Sequence, residues 1–240
     1  TEIGGGSSLG LVQQSMEGRG IRSAWYIIAL GIAYALLAFW APKARRTNVK
    51  TTAEYFRRRY GDVSGILQVV FVITSLLGDT IAQYVASAVI ISAMLNIDFQ
   101  MALIIATVVV TVYSALGGLW GIAVTDFVQL FLIFAGLLIV IPFGVKLAGG
   151  WGNIAANVPA EAFALYKKGD WVYILSLVVM YFTSFAGNQI TMSFFFAAKG
   201  PRAARQGALS AAGFNFLYAV IPAFLGIIVL ALMNTGAFFP

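Results

Sequence analysis

Long apolar runs alternate along this chain with short segments that carry most of its charge. Ser23–Pro42 is about 20 residues long, which suffices for an α-helix to cross a hydrocarbon core of about 30 Å. Five further runs follow at Gly65–Leu95, Met101–Leu116, Phe127–Val145, Trp171–Ala198 and Ala208–Leu232. A shorter run at Ile3–Met16 has the length of half a span. The pattern predicts an all-α, polytopic membrane protein with about seven transmembrane helices.

The basic residues predict how these helices are oriented. Lys43–Ser64 is the most basic loop, and loops of this kind face the cytoplasm. With that loop inside, the alternation of spans places Lys199–Gly207 inside as well, and ten of the 15 Lys and Arg residues are then cytoplasmic. We therefore expect an integral, multi-pass protein of the cell membrane with both loops in the cytoplasm. Within the first loop, Thr52–Tyr60 is predicted to form a short surface helix capped by Thr51 or Thr52.

Composition supports the membrane assignment and excludes several functions. The chain is 60% apolar and only 10% charged, whereas soluble domains average about 25% charged residues. It has no Cys and no His, so thiol chemistry, disulfides, histidine-based metal sites and histidine proton relays are excluded. The net charge of +6 does not indicate nucleic-acid binding, because the basic residues lie in short loops between apolar runs. No phosphate-binding loop of an ATP-driven pump is present.

Asp79 lies near the middle of a predicted span, with Gln83 one turn later on the same face. A carboxylate in lipid is costly, so Asp79 must face protein or water. It is a candidate for the path of a coupling cation, for contact with a solute, or for a structural hydrogen bond to a neighbouring helix. The sequence leaves these three roles open.

A second carboxylate of interest lies in Ser114–Gln129, which joins two apolar runs and is predicted to turn beside a membrane face. Gly117 and Gly118 are predicted to end one helix, and Thr125 or Asp126 to cap the next. This hairpin would place Asp126 at the inner end of a helix, where its charge could draw a cation towards the cytoplasm. A capped loop without such a role is the other reading. Since Asp79 and Asp126 are on different predicted helices and no motif joins them, an enzyme is not indicated.

Two runs are interrupted by glycine and polar residues, at Gly4–Ser8 and at Ser184–Gln189. They lie five predicted helices apart, as in transporters built from two inverted repeats whose first helices unwind at mid-membrane. Unwound backbone at that depth must line a cavity or be buried in protein, and its carbonyls can coordinate a cation. Alternatively, the glycines only allow close packing between helices.

Four stretches together resemble the sodium:solute symporter family, whose members carry sugars, proline, pantothenate and similar solutes. They are Ile3–Gly10, Thr52–Gly61, the Gly-Gly-Leu turn followed by Thr125, Asp126 and Gln129, and Asn188–Gln189 followed by Ala197–Lys199. The family usually has an arginine five or six residues after its Asn-Gln pair, where this chain has Phe194 and Phe195.

The resemblance implies a leucine-transporter-like fold of two inverted five-helix repeats, with residues 1–145 in the first repeat and 171–240 at the start of the second. It implies sodium-coupled symport of a small polar organic solute by alternating access. From the resemblance we expect residues of the sixth helix and the helix after it to contact or gate the solute. The candidates are Tyr181, Ser184, Phe185, Asn188, Gln189 and Asn215. The family's main sodium ligands would lie before Thr1 and beyond Pro240, so we expect a fragment truncated at both ends whose sodium ligands are unknown. A channel or a non-transporting membrane subunit is the alternative that hydropathy leaves open.

Overall fold

The computed structural model describes residues 5–235, and within that range the chain folds into helices without any β-strand. Six segments of this described range are long and apolar enough to cross a membrane. These findings confirm an all-α, polytopic membrane protein. The helices are α1 (Gly5–Gln14), α2 (Trp25–Arg46), α3 (Thr52–Tyr60), α4 (Asp62–Leu95), α5 (Phe99–Leu147), α6 (Trp151–Asn157), α7 (Asp170–Gly187), α8 (Gln189–Ala197) and α9 (Pro201–Asn234).

Helix α9 is the centre of a packed bundle that also contains α1, α2 and α7. Its buried face contains a stripe of small residues at helical spacing, formed by Ala204, Ala208, Ala212, Ala219 and Ala223, beside larger buried side chains such as Tyr218 and Ile228. Small side chains let neighbouring helix backbones approach closely, which is how helices associate where lipid removes the hydrophobic driving force. The sequence of α9 therefore encodes a central helix rather than a lipid-facing one.

Helix α1 runs alongside α9 in the same direction. The hydroxyl groups of Ser8 and Tyr218 are hydrogen-bonded at one end of this contact, and Ser15 donates to the carbonyl of Ala223 over 2.7 Å at the other. At Gly226 an added Cβ would lie 2.5 Å from the Cβ of Ser15. Glycine at this position is what allows the two helices to touch.

The chain then reverses, so α2 runs antiparallel to α9. A π-turn at Ser15–Arg19 and a 3₁₀-turn at Gly20–Ala24 make the reversal, with non-helical backbone at Gly18. Gly20 has a φ of 56° and lies against the backbone of Ala162, whose oxygen would be 2.2 Å from an added Cβ. The half-span predicted at Ile3–Met16 thus forms its own helix, α1, at the start of the 41-residue apolar segment Gly6–Arg46.

Helices α4 and α5 form a hairpin at the side of the bundle. Asn96 adopts the left-handed conformation that ends α4, and Asp98 caps α5 by accepting from the backbone N–H of Gln100 over 2.9 Å. Most of their large apolar side chains are exposed. Exposed apolar surface of this extent is typical of a region that contacts lipid or packs against further protein.

The hairpin predicted within Ser114–Gln129 is wrong. Helix α5 runs unbroken from Phe99 to Leu147, and Gly117 lies inside it. The Thr125 hydroxyl bonds back to the carbonyl of Gly121 over 3.0 Å, inside the same helix, so it does not cap a new one. Helix α5 has 49 residues, about 74 Å, and contains two stretches that each have the length and composition of a span.

The predicted surface helix between the first two long spans is confirmed as α3. Thr51 is its N-cap and accepts a 3.0 Å hydrogen bond from the backbone N–H of Glu54. The Glu54 carboxylate in turn accepts from the backbone N–H of Lys50 and binds Arg58. The Lys50 hydrogen bond is the main reason why the pKa of Glu54 lies below its ordinary value. The loop therefore has a fixed structure next to the bundle.

Candidate functional site

The second of the two predicted helix breaks is present. Helix α7 ends at Gly187, Asn188 adopts an extended conformation (φ −71°, ψ 127°), and α8 starts at Gln189. The Asn188 side-chain oxygen accepts from the backbone N–H groups of Ile190 and Thr191 over 2.8 and 3.1 Å. Asn188 therefore stabilises the break as an N-cap, because it satisfies donors that the start of a helix leaves open.

The break lies close to one end of the bundle. Helix α7 has 18 residues before it, about 27 Å, which is nearly the thickness of a hydrocarbon core. Gly187 shares a cavity with Lys43 and Thr47 at the C-terminal end of α2. The expectation of a break halfway through the membrane therefore needs correction towards the end that bears the α2–α3 loop.

The break faces a cavity of about 250 Å³ between α4 and the α7–α8 pair, which we call the seam cavity. Ser184 and Asn188 contribute polar groups from the α7–α8 side, and Gln68 and Ser75 from α4. The remaining lining residues are Phe71, Val72, Leu76, Gly187 and Gln189. A cleft with a few polar groups among apolar walls is typical of a small-molecule site.

Gln189 connects the break to the surface helix α3. Its side-chain oxygen accepts from the backbone N–H of Thr52 over 2.8 Å and from the Thr52 hydroxyl over 2.6 Å. Gln68 of α4 donates to the same hydroxyl over 3.2 Å. One threonine thus joins α3, α4 and α8 on the loop side of the seam cavity, and it is shielded from solvent.

A stripe of polar residues on α4 leads away from this cavity. Gln68, Ser75, Asp79 and Gln83 follow each other at intervals of seven, four and four residues, which places them on one helix face. The first two line the seam cavity. The last approaches α1, because its side-chain oxygen would be 3.9 Å from a Cβ added at Gly6. Sequence reasoning found only Asp79 and Gln83, although the spacing of all four was a readable signal.

The first predicted break, Gly4–Ser8, is not seen within the described residues. Gly4 lies outside them, and α1 is helical from Gly5 onwards. Ser8 within α1 and Ser15 directly after it both bond to α9. In the part of the chain that the structure describes, the matched pair of breaks is therefore reduced to the one at Asn188.

The remaining residues predicted for solute contact lie away from the seam cavity. Tyr181 and Phe185 are buried against α2, where their rings pack 5.2 Å from Tyr26 and 5.4 Å from Tyr34. Asn215 is 4% exposed and lines a different cavity, of about 360 Å³, which Thr191 also lines. Of the six predicted residues, the structure brings Ser184, Asn188 and Gln189 together.

The two carboxylates predicted for the cation path, Asp79 and Asp126, do not line the seam cavity either. Asp79 is exposed one turn beyond Ser75, and Asp126 is half-buried inside α5 rather than at a helix start. The described residues contain no group of three or more His, Cys, Asp or Glu side chains that could hold a metal ion.

These features define the class as a multi-pass, all-α membrane protein in which a broken helix lines a polar cavity between two helical units. The sequence model of the sodium:solute symporter family matches residues 1–238. The chain therefore belongs to the sodium:solute symporter family.

Curated relatives carry transporter names. The chain is 32% identical over 153 residues to the human high affinity choline transporter 1, which covers 61% of this chain and 26% of that protein. It is 29% identical over 175 residues to the high-affinity proline transporter PutP of Bacillus subtilis, covering 68% of this chain and 37% of the relative. The sodium/proline symporter of Staphylococcus aureus is 23% identical over 175 residues. The matches thus span between 26% and 37% of these relatives' lengths, and the relatives are transporters rather than enzymes.

Proposed function

We propose that this chain is part of a secondary transporter that couples sodium entry to the uptake of a small polar organic solute. The observation that carries the proposal is the break at Asn188, which faces the seam cavity. A helix that ends inside a membrane protein leaves its last carbonyl groups without intrahelical partners, and such groups coordinate cations. The start of the next helix attracts anionic groups through its dipole.

The proposed solute carries a positively charged nitrogen. Choline and proline, which the relatives are named for, share that feature. Phe71 lies in the wall of the seam cavity and offers an aromatic face, to which ammonium groups are attracted. Ser184, Asn188 and Ser75 supply hydroxyl and amide groups for the rest of the solute. The predicted contacts from Tyr181, Phe185 and Asn215 would then be indirect, through packing behind the cavity or from the neighbouring cavity.

The proposed mechanism is alternating access at the boundary between the α4–α5 hairpin and the bundle. Asp79 lies on the polar stripe of α4 and is proposed to guide the cation towards the seam cavity, while Asp126 guides it from α5. In this proposal the Lys43–Ser64 and Lys199–Gly207 loops face the cytoplasm, so the seam cavity lies on the inner side. Residues 1–145 and 171–240 would belong to two inverted repeats.

The test is solute uptake by the full-length protein in proteoliposomes. Choline and proline are offered separately, with an inward gradient of either sodium or potassium. We expect one of them to accumulate only with sodium, and to do so at least about tenfold less in an Asn188→Ala variant. Asn157→Ala, which changes an asparagine at the end of α6, is the matched control. Equal uptake with potassium would reject sodium coupling, and ion conduction without solute accumulation would favour a channel.

A further inference from the structure

A second cavity, of about 530 Å³, lies where α2 ends, between α3 and the α7–α8 junction. We call it the interfacial pocket. Ala44, Ala186, Met192 and Phe196 form apolar parts of its wall. It lies on the other side of the helix break from the seam cavity, and Gly187 lines both. A ligand here would therefore bind next to the proposed transport site without occupying it.

Two basic residues, Lys43 and Arg59, line the interfacial pocket. The nearby acidic residues are already paired, since Glu54 binds Arg58 over 2.6 Å and Asp62 binds Arg57 over 2.5 Å. Within residues 5–235, neither Lys43 nor Arg59 has a carboxylate at ion-pair distance. The pocket thus offers two uncompensated positive charges beside an apolar interior.

Aromatic residues surround the same opening. Trp40 is 45% exposed and Tyr60 is 63% exposed, and both line the pocket together with Tyr55. Trp and Tyr are enriched where the headgroup region of a membrane meets its hydrocarbon core. Phe39, the residue before Trp40 on α2, is a further exposed aromatic side chain near this end of the helix. The pocket therefore lies at the depth of lipid headgroups.

From this arrangement we infer that the interfacial pocket binds an anionic phospholipid. The headgroup phosphate lies between Lys43 and Arg59, and the upper part of an acyl chain lies against Ala44, Met192 and Phe196. Clusters of basic residues immediately beside a transmembrane helix, and basic pockets between such helices, are the usual sites for acidic lipids. A solute lacking acyl chains would leave the apolar wall exposed to water, so a lipid is the occupant that matches both halves of the pocket.

The test is a lipid titration of the full-length protein in detergent, with bound lipids counted by native mass spectrometry. Phosphatidylglycerol and phosphatidylcholine with identical acyl chains isolate the effect of headgroup charge. Each Lys or Arg near an acidic lipid contributes about fivefold to binding. The double variant Lys43→Gln and Arg59→Gln should therefore bind phosphatidylglycerol about 25-fold more weakly, with an affinity near that for phosphatidylcholine.

The matched control is Lys199→Gln with Arg202→Gln, which removes the same two charges from the other basic loop and should keep phosphatidylglycerol affinity within about twofold of the parent. A Trp40→Ala variant should weaken both lipids, because it alters the apolar side of the opening. Glycerophosphoglycerol, the same phosphodiester without the acyl chains, should bind at least about tenfold more weakly than phosphatidylglycerol. Equal losses in the two double variants, or equal binding of glycerophosphoglycerol and phosphatidylglycerol, would overturn the inference.

Discussion

The bundle and the α4–α5 hairpin are both apolar, yet the central helices of the bundle bury about half of their most apolar residues and the hairpin buries few. We compare the most apolar 18 residues of each long segment. In Gly6–Arg46 and in Pro201–Asn234, 56% of those residues are buried, whereas in Val124–Leu147 none are. The bundle contacts use small residues, such as the alanine stripe of α9 and Gly226, whereas the hairpin presents large aliphatic and aromatic side chains. Small residues at the helix contacts, rather than hydropathy, are what the packed unit has and the exposed one lacks there, and they let the bundle bury large side chains such as Tyr218 and Ile228 as well.

This difference places the candidate site at the boundary of two unlike units. The seam cavity takes one wall from α4 and the other from the broken helix of the bundle. A loosely packed hairpin can shift against a tightly packed bundle without disrupting a core. If transport depends on this contrast, changes at the boundary should impair transport, while changes inside the bundle should impair stability.

The largest effect is expected from removing the break. Gly187→Ala together with Asn188→Leu favours a continuous α7–α8 helix, because the cap is lost and a good helix former takes its place. We expect sodium-driven uptake to fall about a hundredfold, the loss that a misplacement of about 1 Å can cause at a functional site. The measurement is initial uptake in proteoliposomes.

Its control is Asn157→Leu, an asparagine replacement at the C-terminal end of α6, which should transport at the parental rate. Circular dichroism and a monodisperse elution profile establish that both proteins fold. Transport within twofold of the parent in the double variant would show that the break is not needed.

Neutralising the carboxylates of the hairpin should change transport by about tenfold. This is the size of a typical coupling free energy between two ligands. Asp126→Asn should slow transport more than it weakens solute binding, and Asp79→Asn should raise the sodium concentration needed for half-maximal uptake. Uptake rates and equilibrium solute binding are measured on the same preparations. Glu161→Gln removes an exposed carboxylate from the α6–α7 connection and serves as the control. Wild-type turnover in Asp126→Asn would remove that residue from the mechanism.

The packing difference between the two units predicts that a glycine-to-alanine substitution will destabilise the bundle but not the hairpin. Gly226→Ala forces a Cβ to within 2.5 Å of Ser15 and should destabilise the protein by about 1–3 kcal/mol, which lowers the thermal midpoint. Gly136→Ala on α5 has no atom within 4 Å of the added Cβ and should be neutral or slightly stabilising. Equal midpoints for the two variants would contradict the packing difference between the units.

The most local effect concerns the link between the break and α3. Gln189→Ala removes the oxygen that accepts both hydrogen bonds from Thr52. The free energy of local opening should fall by about 1–2 kcal/mol. Hydrogen exchange at the start of α3 should therefore become about five- to thirtyfold faster. Gln68→Ala, which removes only the longer 3.2 Å bond, should have a smaller effect. Unchanged exchange in Gln189→Ala would show that α3 is held by other contacts.

The sequence predicted the helical class, the apolar runs, the cap at Thr51 and the break near Asn188, because each depends on local residue chemistry. The predicted hairpin around Gly117 was wrong, since a glycine permits a helix end without requiring one and Thr125 can bond within its own helix. Tertiary contacts were less predictable. The burial of Tyr181 and Phe185 against α2 depends on which face of α7 meets the bundle, and hydropathy does not report this in a helix that is apolar all round.

Gln68 and Ser75 show what a closer reading of the pattern could have found. With Asp79 and Gln83 they form a polar stripe at helical spacing within a predicted span, and such a stripe must avoid lipid. The contact between Gln189 and Thr52, in contrast, joins residues 137 positions apart and has no local signal.

The central claim is that the seam cavity is the place where solute and cation meet the protein. The chain contains no cysteine, so Ser184→Cys introduces a single reporter into the cavity wall, with cysteines elsewhere in the full-length protein replaced. Labelling by a small hydrophilic maleimide should proceed in potassium and slow at least about tenfold when sodium and the transported solute are both present. Labelling that is equally fast under both conditions, in a variant that still transports, would contradict the account.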